Sequence, residues 1–399
     1  MRTLPGPEAE FPDLPTEIDA EYVRNSFPGL RGITFLDHAA ASPLPRPSID
    51  ALVAMGERLG SAHPPDALGY ADELRVDIAR LINGDPSGVG LTRSTAHGIS
   101  LLSNGLPLEP GDNVLVVEGD YPTAIYPWMA RQERTNLEVR FVRPGEDRVT
   151  VDTVLEQVDE RTRVVCLAEV MFVTGYRVDV TGLGAECRRR GIIFCVDGMQ
   201  SIGAFDVDVV KSNIDVLSSG GVKWLLGPNG VSFCWMRSDL VEQLPPLIPG
   251  ALTVRNRMDF TNLDPVWAPD AHRFEETWLP APEMAALKTS IRIAERVGIA
   301  EIELGVLDNA RELSATLLDI GAELRGPWPR TSNELSGIVS FSHAAATAER
   351  IGEELSRASV KFSYRGTNIR LSPHYYNTHD DLGRALEAIA SAVRHPGPS

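Results

Sequence analysis

Length, composition and charge restrict the classes of protein to which this chain can belong. The 399 residues, 43% hydrophobic and 23% charged, suffice for a large globular domain with a smaller one and exclude a disordered or fibrous chain. A formal net charge of -17 argues against a protein that neutralises nucleic-acid phosphates.

Neither the cysteines nor the apolar segments indicate export, a metal site or membrane insertion. The first fifteen residues carry Pro and acidic side chains instead of the basic and apolar regions of a signal peptide. No apolar run reaches the length of a membrane span. We therefore predict a cytoplasmic protein without metal. Its four cysteines lie in apolar or helical stretches without a CxxC pair, which favours buried reduced thiols: Cys166, Cys187, Cys195 and Cys234.

The chain opens with a predicted arm, residues 1–32, that includes a short helix, followed by a brief strand over 33–37. From about residue 66 to residue 245, helical stretches alternate with short strands rich in Val and Ile. Such alternation predicts a mostly parallel sheet covered by helices, within a large domain spanning residues 33–284. The strongest strand candidates are 113–117, 137–142, 163–168, 192–196 and 230–236.

The pattern changes beyond residue 249. An irregular stretch rich in Arg, Asp and Trp is followed by an amphipathic helix predicted over 283–297. We predict a smaller α+β domain over residues 285–399. Its candidate elements are strands at 337–342 and 368–372 and a terminal helix over 380–393.

Residues that directly follow buried strands are the first candidates for chemistry, because ligands collect at the carboxyl ends of strands in open α/β sheets. Asp197 follows one apolar run, and Lys223 follows a later strand and a Gly pair. A lysine there could form an imine with the aldehyde of pyridoxal phosphate (PLP), and a carboxylate could keep the pyridine nitrogen protonated. The alternative is a surface lysine and a helix-capping aspartate.

A phosphate would need its own anchor, and a hydroxyl-rich turn offers one. Ser94 and Thr95 follow a short apolar strand and open a predicted helix. Hydroxyls and free amides at a helix N-terminus suit a dianion. The same residues also serve as ordinary N-caps without any ligand.

Six motifs in chain order resemble the class V aminotransferase family, the fold-type I PLP group that includes cysteine desulfurases and isopenicillin N epimerase-like enzymes. The resemblance spans nearly the whole chain and implies an α/β fold with a mostly parallel central sheet, helices on both faces and a smaller C-terminal domain. It is carried by FLDHAAASP at 35–43, the turn at Thr95, EGDYP at 118–122, DGMQ at 197–200, SSGGVKW at 218–224 and IRLSPHYYNT at 369–378.

The resemblance implies a role for each matching residue. It implies a Schiff base at Lys223, with Asp197 facing the pyridine nitrogen. The other implied cofactor contacts are Gln200 at the ring hydroxyl, Ser94 and Thr95 at the phosphate, and Tyr121 stacked over the ring.

A substrate α-amino acid and a homodimer follow from the same resemblance. Arg370 matches the arginine that binds the substrate carboxylate. His38, Ala39 and His97 are expected to line the pocket. Relatives use a partner-subunit Gly-Thr pair at the phosphate, and this chain lacks the pair, so Thr277 is expected at the phosphate and Trp278 in the substrate pocket.

The cofactor alone does not select the reaction. A desulfurase also needs a nucleophilic cysteine shortly before the carboxylate-binding arginine, and residues 353–368 contain none, which disfavours that activity. The prediction is a carbon–sulfur lyase acting on an S-substituted cysteine in secondary metabolism. Amino-acid transamination, epimerisation and decarboxylation-coupled deamination remain open, as does a catalytically silent scaffold.

Overall fold

The computed structural model describes residues 14–61, 66–145, 148–261 and 263–395. The first thirteen residues of the predicted N-terminal arm therefore lie outside the described residues. The rest of the arm contains one short helix, α1 (Ala20–Asn25), which Asp19 caps by accepting a hydrogen bond from the Tyr22 amide. None of the helices in these ranges is both long enough and apolar enough to cross a membrane.

A seven-stranded sheet forms the centre of the fold, as the alternation of strands and helices predicts. The strand order is β2-β8-β7-β6-β5-β3-β4, with β8 antiparallel to both of its neighbours and the other pairs parallel. The mostly parallel sheet is thus confirmed. The strands are β2 (Val89–Thr92), β3 (Asn113–Val117), β4 (Glu138–Val142), β5 (Thr162–Ala168), β6 (Ile193–Asp197), β7 (Val216–Gly220) and β8 (Ser232–Met236).

The central strands read as continuous apolar runs because both faces of the sheet are covered. Successive residues of β3 alternate between two hydrophobic clusters, with Leu115 in one and Val116 in the other. One face packs against α3, α7 and α9, and the opposite face against α4, α5 and α8. The helices of this part are α2 (Arg46–Leu59), α3 (Ala67–Leu81), α4 (Thr95–Gly105), α5 (Pro122–Gln132), α6 (Val151–Leu155), α7 (Val180–Arg190), α8 (Ser238–Gln243) and α9 (Ala281–Val297).

The C-terminal part is a four-stranded antiparallel sheet with its own hydrophobic cluster. β1 (Thr34–Phe35) pairs in parallel with β11 of this part, and Leu36 packs into its core. The sheet order is β12-β13-β10-β9. The elements are α10 (Ile299–Asp319), β9 (Ala322–Leu324), β10 (Val339–His343), α11 (Ala348–Arg357), β11 (Val360–Lys361), β12 (Ser363–Arg365), β13 (Asn368–Leu371) and α12 (His379–Arg394).

The domain boundary at residue 285 remains a prediction. Helix α9 runs unbroken across that position, and the chain turns into α10 at Gly298, whose φ of 92° suits glycine. The N-terminal strand β1 pairs with β11 of the C-terminal part in a separate two-stranded sheet. Residues 34–35 and 360–361, far apart along the chain, therefore lie side by side.

Candidate active site

Asp197 and Lys223 converge at the carboxyl ends of two neighbouring strands. Asp197 is the last residue of β6 and pairs with Ser218 of β7, five residues before Lys223. Its Oδ1 accepts a hydrogen bond from the Met199 amide at 2.9 Å. Burial raises the pKa of Asp197 to about 6, against the opposing effects of that amide and of Lys223. A buried carboxylate of this kind is stabilised by a nearby cation.

Lys223 is held in a largely desolvated position. Burial lowers its pKa to about 8, with Asp197 opposing the shift and Arg370 and Arg365 adding to it. The Nζ atom lies 5.5 Å from the centre of the Tyr121 ring. The lysine amine is thus partly neutral near physiological pH, which is the form that attacks an aldehyde or accepts a proton.

Tyr121 stands on the other side of the site, at the N-terminus of α5. Its side chain is about half exposed, and its ring makes an edge contact with Phe172 at 5.2 Å between centroids. The structure therefore brings an aromatic face close to the lysine, as stacking over a cofactor ring requires.

Gln200 is fixed beneath the same site by two hydrogen bonds. Its Nε2 donates to the Ala39 carbonyl at 3.0 Å, and its Oε1 accepts from the Trp224 indole at 2.9 Å. Trp224 directly follows Lys223 in the chain. The amide thus joins the 35–43 segment to the lysine turn, and Ala39 reaches the site through its backbone.

The N-terminus of α4 presents polar groups without partners. Ser94 caps the helix by accepting a hydrogen bond from the His97 amide at 3.2 Å. Thr95 Oγ1 and Ser219 Oγ are buried and have no hydrogen-bond partner among the described residues. Buried hydroxyls normally have at least one hydrogen-bond partner. The helix approaches β7 closely at Gly98, where a Cβ atom would come within 2.3 Å of Ser218 Oγ.

Arg370 lies wholly buried in β13. Its Nη1 donates to the Phe172 carbonyl at 3.1 Å, and its Nη2 lies 3.6 Å from Asp37 Oδ1. Nε has no partner among the described residues. Asp37 also accepts a hydrogen bond from Ser363 at 2.6 Å. Burial lowers the pKa of Arg370 to about 10, so an incoming carboxylate would stabilise its charged form.

The remaining predicted residues lie in different surroundings. Both ring nitrogens of His38 are engaged, Nδ1 with the Ser372 carbonyl at 2.9 Å and Nε2 with the Tyr376 hydroxyl at 2.6 Å. This buried ring has no nitrogen free for a substrate, which runs against the expectation of direct contact. His97 differs, because its Nε2 is buried without a partner among the described residues and burial lowers its pKa.

Thr277 and Trp278 lie in the segment that connects the central sheet to α9. Thr277 is half-buried and follows Glu276, which forms an ion pair with Arg93 at 3.1 Å. The Trp278 ring is 43% exposed and lies 6.5 Å from that of Phe260. The structure of a single chain does not test the roles expected of Thr277 and Trp278, which remain predictions.

Sequence reasoning assigned no role to several residues that the fold brings to the site. Asp120 follows the same buried strand as Tyr121, so its position after β3 was an available signal. Asp37 stands in a motif of the family resemblance, yet its contact with Arg370 joins positions more than 300 residues apart. The sequence around Phe172 and Arg365 gave no indication of a role in the site, because both residues reach it only through tertiary packing.

The geometry fits PLP. The lysine, the buried carboxylate and the unpartnered hydroxyls at a helix N-terminus correspond to the aldehyde, the ring nitrogen and the phosphate of that cofactor. The profile of the family described as Aminotransferase class-V matches residues 34–383. The chain belongs to the class V aminotransferase family. It is therefore a PLP-dependent enzyme, which rules out the alternative of a catalytically silent scaffold.

Similarity to individual members of the family extends over almost the whole chain. A probable cysteine desulfurase of Methanothermobacter thermautotrophicus is 29% identical and is aligned over 93% of this chain and 98% of its own. The uncharacterized aminotransferase YcbU of Bacillus subtilis is 24% identical, with coverages of 94% and 98%. These class V relatives thus carry two different activity names.

Solved structures of class V proteins share the fold. The apo cysteine desulfurase of Thermococcus onnurineus NA1 superposes with a TM-score of 0.85 at 21% identity, covering 94% of this chain and 98% of its own. The cystine C–S lyase C-DES, in complex with its product cysteine persulfide, also gives 0.85 at 23% identity, with coverages of 93% and 100%. The fold-type I architecture expected from the motifs is confirmed.

Proposed function

We propose that this class V enzyme is a carbon–sulfur lyase that eliminates the sulfur substituent of an S-substituted cysteine. The observation that carries the proposal is the position of the thiols. All four cysteines are buried, on β5, α7, β6 and β8 of the central part. The hairpin β12–β13, which leads to Arg370, contains none. A desulfurase mechanism that loads sulfur onto a protein thiol would lack its acceptor beside Arg370.

The names of the relatives support chemistry at the carbon–sulfur bond of a cysteine. Several are named probable cysteine desulfurases, and one solved relative is named a cystine C–S lyase. Desulfuration and β-elimination act on the same bond and differ in the acceptor of the sulfur. Elimination needs no protein thiol, so it suits a chain whose cysteines are all in the core.

The residues of the site divide the work of elimination among them. PLP, when bound, supplies an electron-withdrawing ring that weakens the bonds at the substrate α-carbon. Lys223 would hold the cofactor and then take the α-proton on Nζ, a role that its lowered pKa favours. Arg370 would bind the α-carboxylate through Nε and Nη2. Tyr121 would cover one face of the ring and exclude water.

The cofactor contacts complete the assignment. Asp197 would pair with the ring nitrogen and Gln200 with the ring hydroxyl. Ser94 and Thr95 would receive the phosphate at the N-terminus of α4. Thr277 would contribute to the phosphate site, while Ala39, His97 and Trp278 would border the substrate. We assign His38 to positioning the 35–43 segment, because both its nitrogens are already bonded.

Assembly and cellular setting belong to the same proposal. We infer a homodimer with the active site near the subunit interface, consistent with the exposed apolar side chains of the 258–267 stretch, such as Leu263. We further infer a cytoplasmic enzyme of secondary metabolism. These assignments rest on the motifs and composition of the sequence.

Product analysis tests the proposed reaction. The PLP-loaded protein is incubated with S-substituted cysteines, and products are identified by mass spectrometry. We expect pyruvate, ammonia and free thiol in equal amounts, and no products with Lys223→Ala. A keto acid that retains its sulfur would instead establish transamination, and an aldehyde with carbon dioxide would establish decarboxylation-coupled deamination.

Thiol alkylation distinguishes elimination from protein-mediated sulfur transfer. Because the four cysteines are buried, treatment of the native enzyme with iodoacetamide should leave elimination unchanged. Inactivation of the native enzyme, with alkylation mapped to one of its cysteines, would favour a desulfurase mechanism and contradict the proposal.

A further inference from the structure

Asp120 is a buried carboxylate without a cation. Its Oδ1 accepts a hydrogen bond from the Tyr121 amide at 2.6 Å, and its Oδ2 accepts one from the Ala168 amide at 2.8 Å. The residue is 5% exposed, and no Lys, Arg or His of the described ranges forms an ion pair with it. Buried carboxylates are normally paired with a positive charge. The position of this one therefore calls for an explanation.

The carboxylate lies one strand away from Asp197. Ala168, whose amide binds Asp120, is the direct partner of Asp197 in the pairing of β5 with β6. Neighbouring strands are about 4.8 Å apart. Burial, together with the charge of Asp197, raises the pKa of Asp120 to about 7 against the two amide hydrogen bonds. Lys223 acts electrostatically on Asp197, whereas no cation of the described residues is found to act on Asp120.

We propose that Asp120 is a positioning residue that reinforces Asp197 in keeping the ring nitrogen of the bound cofactor protonated, while its Oδ1 anchors the Tyr121 backbone. This inference rests on the proposed place of Asp197 at that nitrogen. Two negative charges in a buried site attract a cation more strongly than one. Because imine formation engages Lys223, the protonated ring is the cation that remains for the pair.

The direct test follows the proton on the ring nitrogen. The enzyme is loaded with PLP carrying 15N at that position, and its chemical shift is recorded against pH for the wild type and for Asp120→Asn. We expect the deprotonation midpoint to fall by about one pH unit or more, a tenfold loss of proton affinity. An unchanged midpoint would overturn the inference and leave Asp120 as a backbone cap.

Asp112 provides the matched control. It is also a buried aspartate, it precedes β3 at the opposite end, and its Oδ2 accepts a hydrogen bond from the Glu109 amide at 2.8 Å. Asp112→Asn should change the stability of the protein but leave the pH midpoint of the ring-nitrogen chemical shift unchanged. An equal effect of both substitutions on the midpoint would mean that the readout reports general loosening, and the inference would fail.

Asp197→Asn separates this inference from the assignment on which it rests. If that variant leaves the nitrogen shift unchanged, the assignment of Asp197 is wrong. If it shifts the midpoint and Asp120→Asn does not, only the role of Asp120 fails. Asp120→Glu, which keeps the charge, should return the deprotonation midpoint most of the way to the wild-type value. A midpoint equal to that of Asp120→Asn would contradict an electrostatic role.

The wild type offers a measurement without substitution. In protein with 13C-labelled aspartate carboxyls, two buried carboxyls should titrate near neutral pH before PLP is added, that of Asp197 at about 6 and that of Asp120 at about 7. The Asp120 carboxyl, the one with the higher midpoint, should become ionised across this pH range when PLP binds, because it then faces a protonated ring. Persistence of the same titration after loading would overturn the inference even if Asp120→Asn failed to fold.

Discussion

At the residue scale, the site combines groups whose ordinary protonation is altered by burial. Lys223 loses solvent on most sides, Asp197 accepts a single amide hydrogen bond, and Arg370 is enclosed between Phe172 and Asp37. Each of these groups would be poorly stabilised in an apolar core without a partner. In the proposed function, PLP would offer its aldehyde to Lys223 and its protonated ring nitrogen to Asp197, and the substrate carboxylate would offer a negative charge to Arg370.

The altered pKa of Lys223 predicts how cofactor capture depends on pH. Capture requires the neutral amine, and with a pKa of about 8 roughly a tenth of the lysine is neutral at pH 7. We expect the rate of PLP uptake by the cofactor-free protein to rise with pH and to level off above about 8. Stopped-flow absorbance measures this rate, with Lys223→Ala as the blank. A midpoint near 10.5 would show an ordinary solvated lysine.

The role proposed for Arg370 predicts that the enzyme discriminates between substrates with and without an α-carboxylate. Arg370→Ala should raise KM for an S-substituted cysteine roughly 10- to 100-fold, since it removes charged hydrogen bonds. The corresponding amine, which lacks the carboxylate, should have the same KM with the variant as with the wild type. Arg357→Ala, at an exposed arginine of α11, is the control and should change neither. Equal losses for both substrates would exclude the carboxylate role.

At the element scale, the first turn of α4 holds one hydroxyl that caps the helix, on Ser94, and one buried hydroxyl without a hydrogen-bond partner among the described residues, on Thr95. Ser94→Ala removes the N-cap and should cost the cofactor-free protein about 1 kcal/mol in urea unfolding. Thr95→Val keeps the shape and removes a buried hydroxyl that has no partner. It should leave the stability of the cofactor-free protein unchanged or higher and weaken PLP binding. Wild-type PLP affinity in Thr95→Val would remove Thr95 from the phosphate site.

Five of the seven strands of the central sheet were predicted to within about two residues, because buried strands appear as apolar runs, whereas β2 and β7 were expected without bounds. Candidate strand 113–117 is β3, and 163–168 is β5 extended by one residue. Helix α10 was not among the predicted elements, although its amphipathic pattern would have indicated it. The turn of β12–β13, where Gly366 adopts a φ of 59°, sets the position of Arg365 and could not be derived from periodicity.

The candidate site was less predictable than the fold, and the physical reason is distance along the chain. Lys223 and Asp197 were recognisable because each follows a strand and matches a motif. The pairing of Asp37 with Arg370 and the pairing of β1 with β11 join segments more than 300 residues apart along the chain. The engaged nitrogens of His38 likewise follow from packing against Ser372 and Tyr376.

At the scale of the whole molecule, an exposed apolar surface predicts self-association. Leu263 is 93% exposed in a stretch that also exposes Met258 and Phe260, and such patches mark interfaces. Sedimentation equilibrium should give a dimer for the wild type and a monomer with reduced activity for Leu263→Asp. Leu304→Asp, on α10, is the control and should remain dimeric. A monomeric wild type would refute the predicted dimer.

The central claim is that Lys223 holds the cofactor at the junction of β6, β7 and α4. Reduction of the PLP-loaded enzyme with borohydride, followed by digestion and peptide mass spectrometry, tests it most directly. We predict a phosphopyridoxyl group on Lys223 and none on the exposed Lys361. Modification at any other lysine, or at Lys223 in substoichiometric amounts matched by Lys361, would contradict the assignment of the active centre.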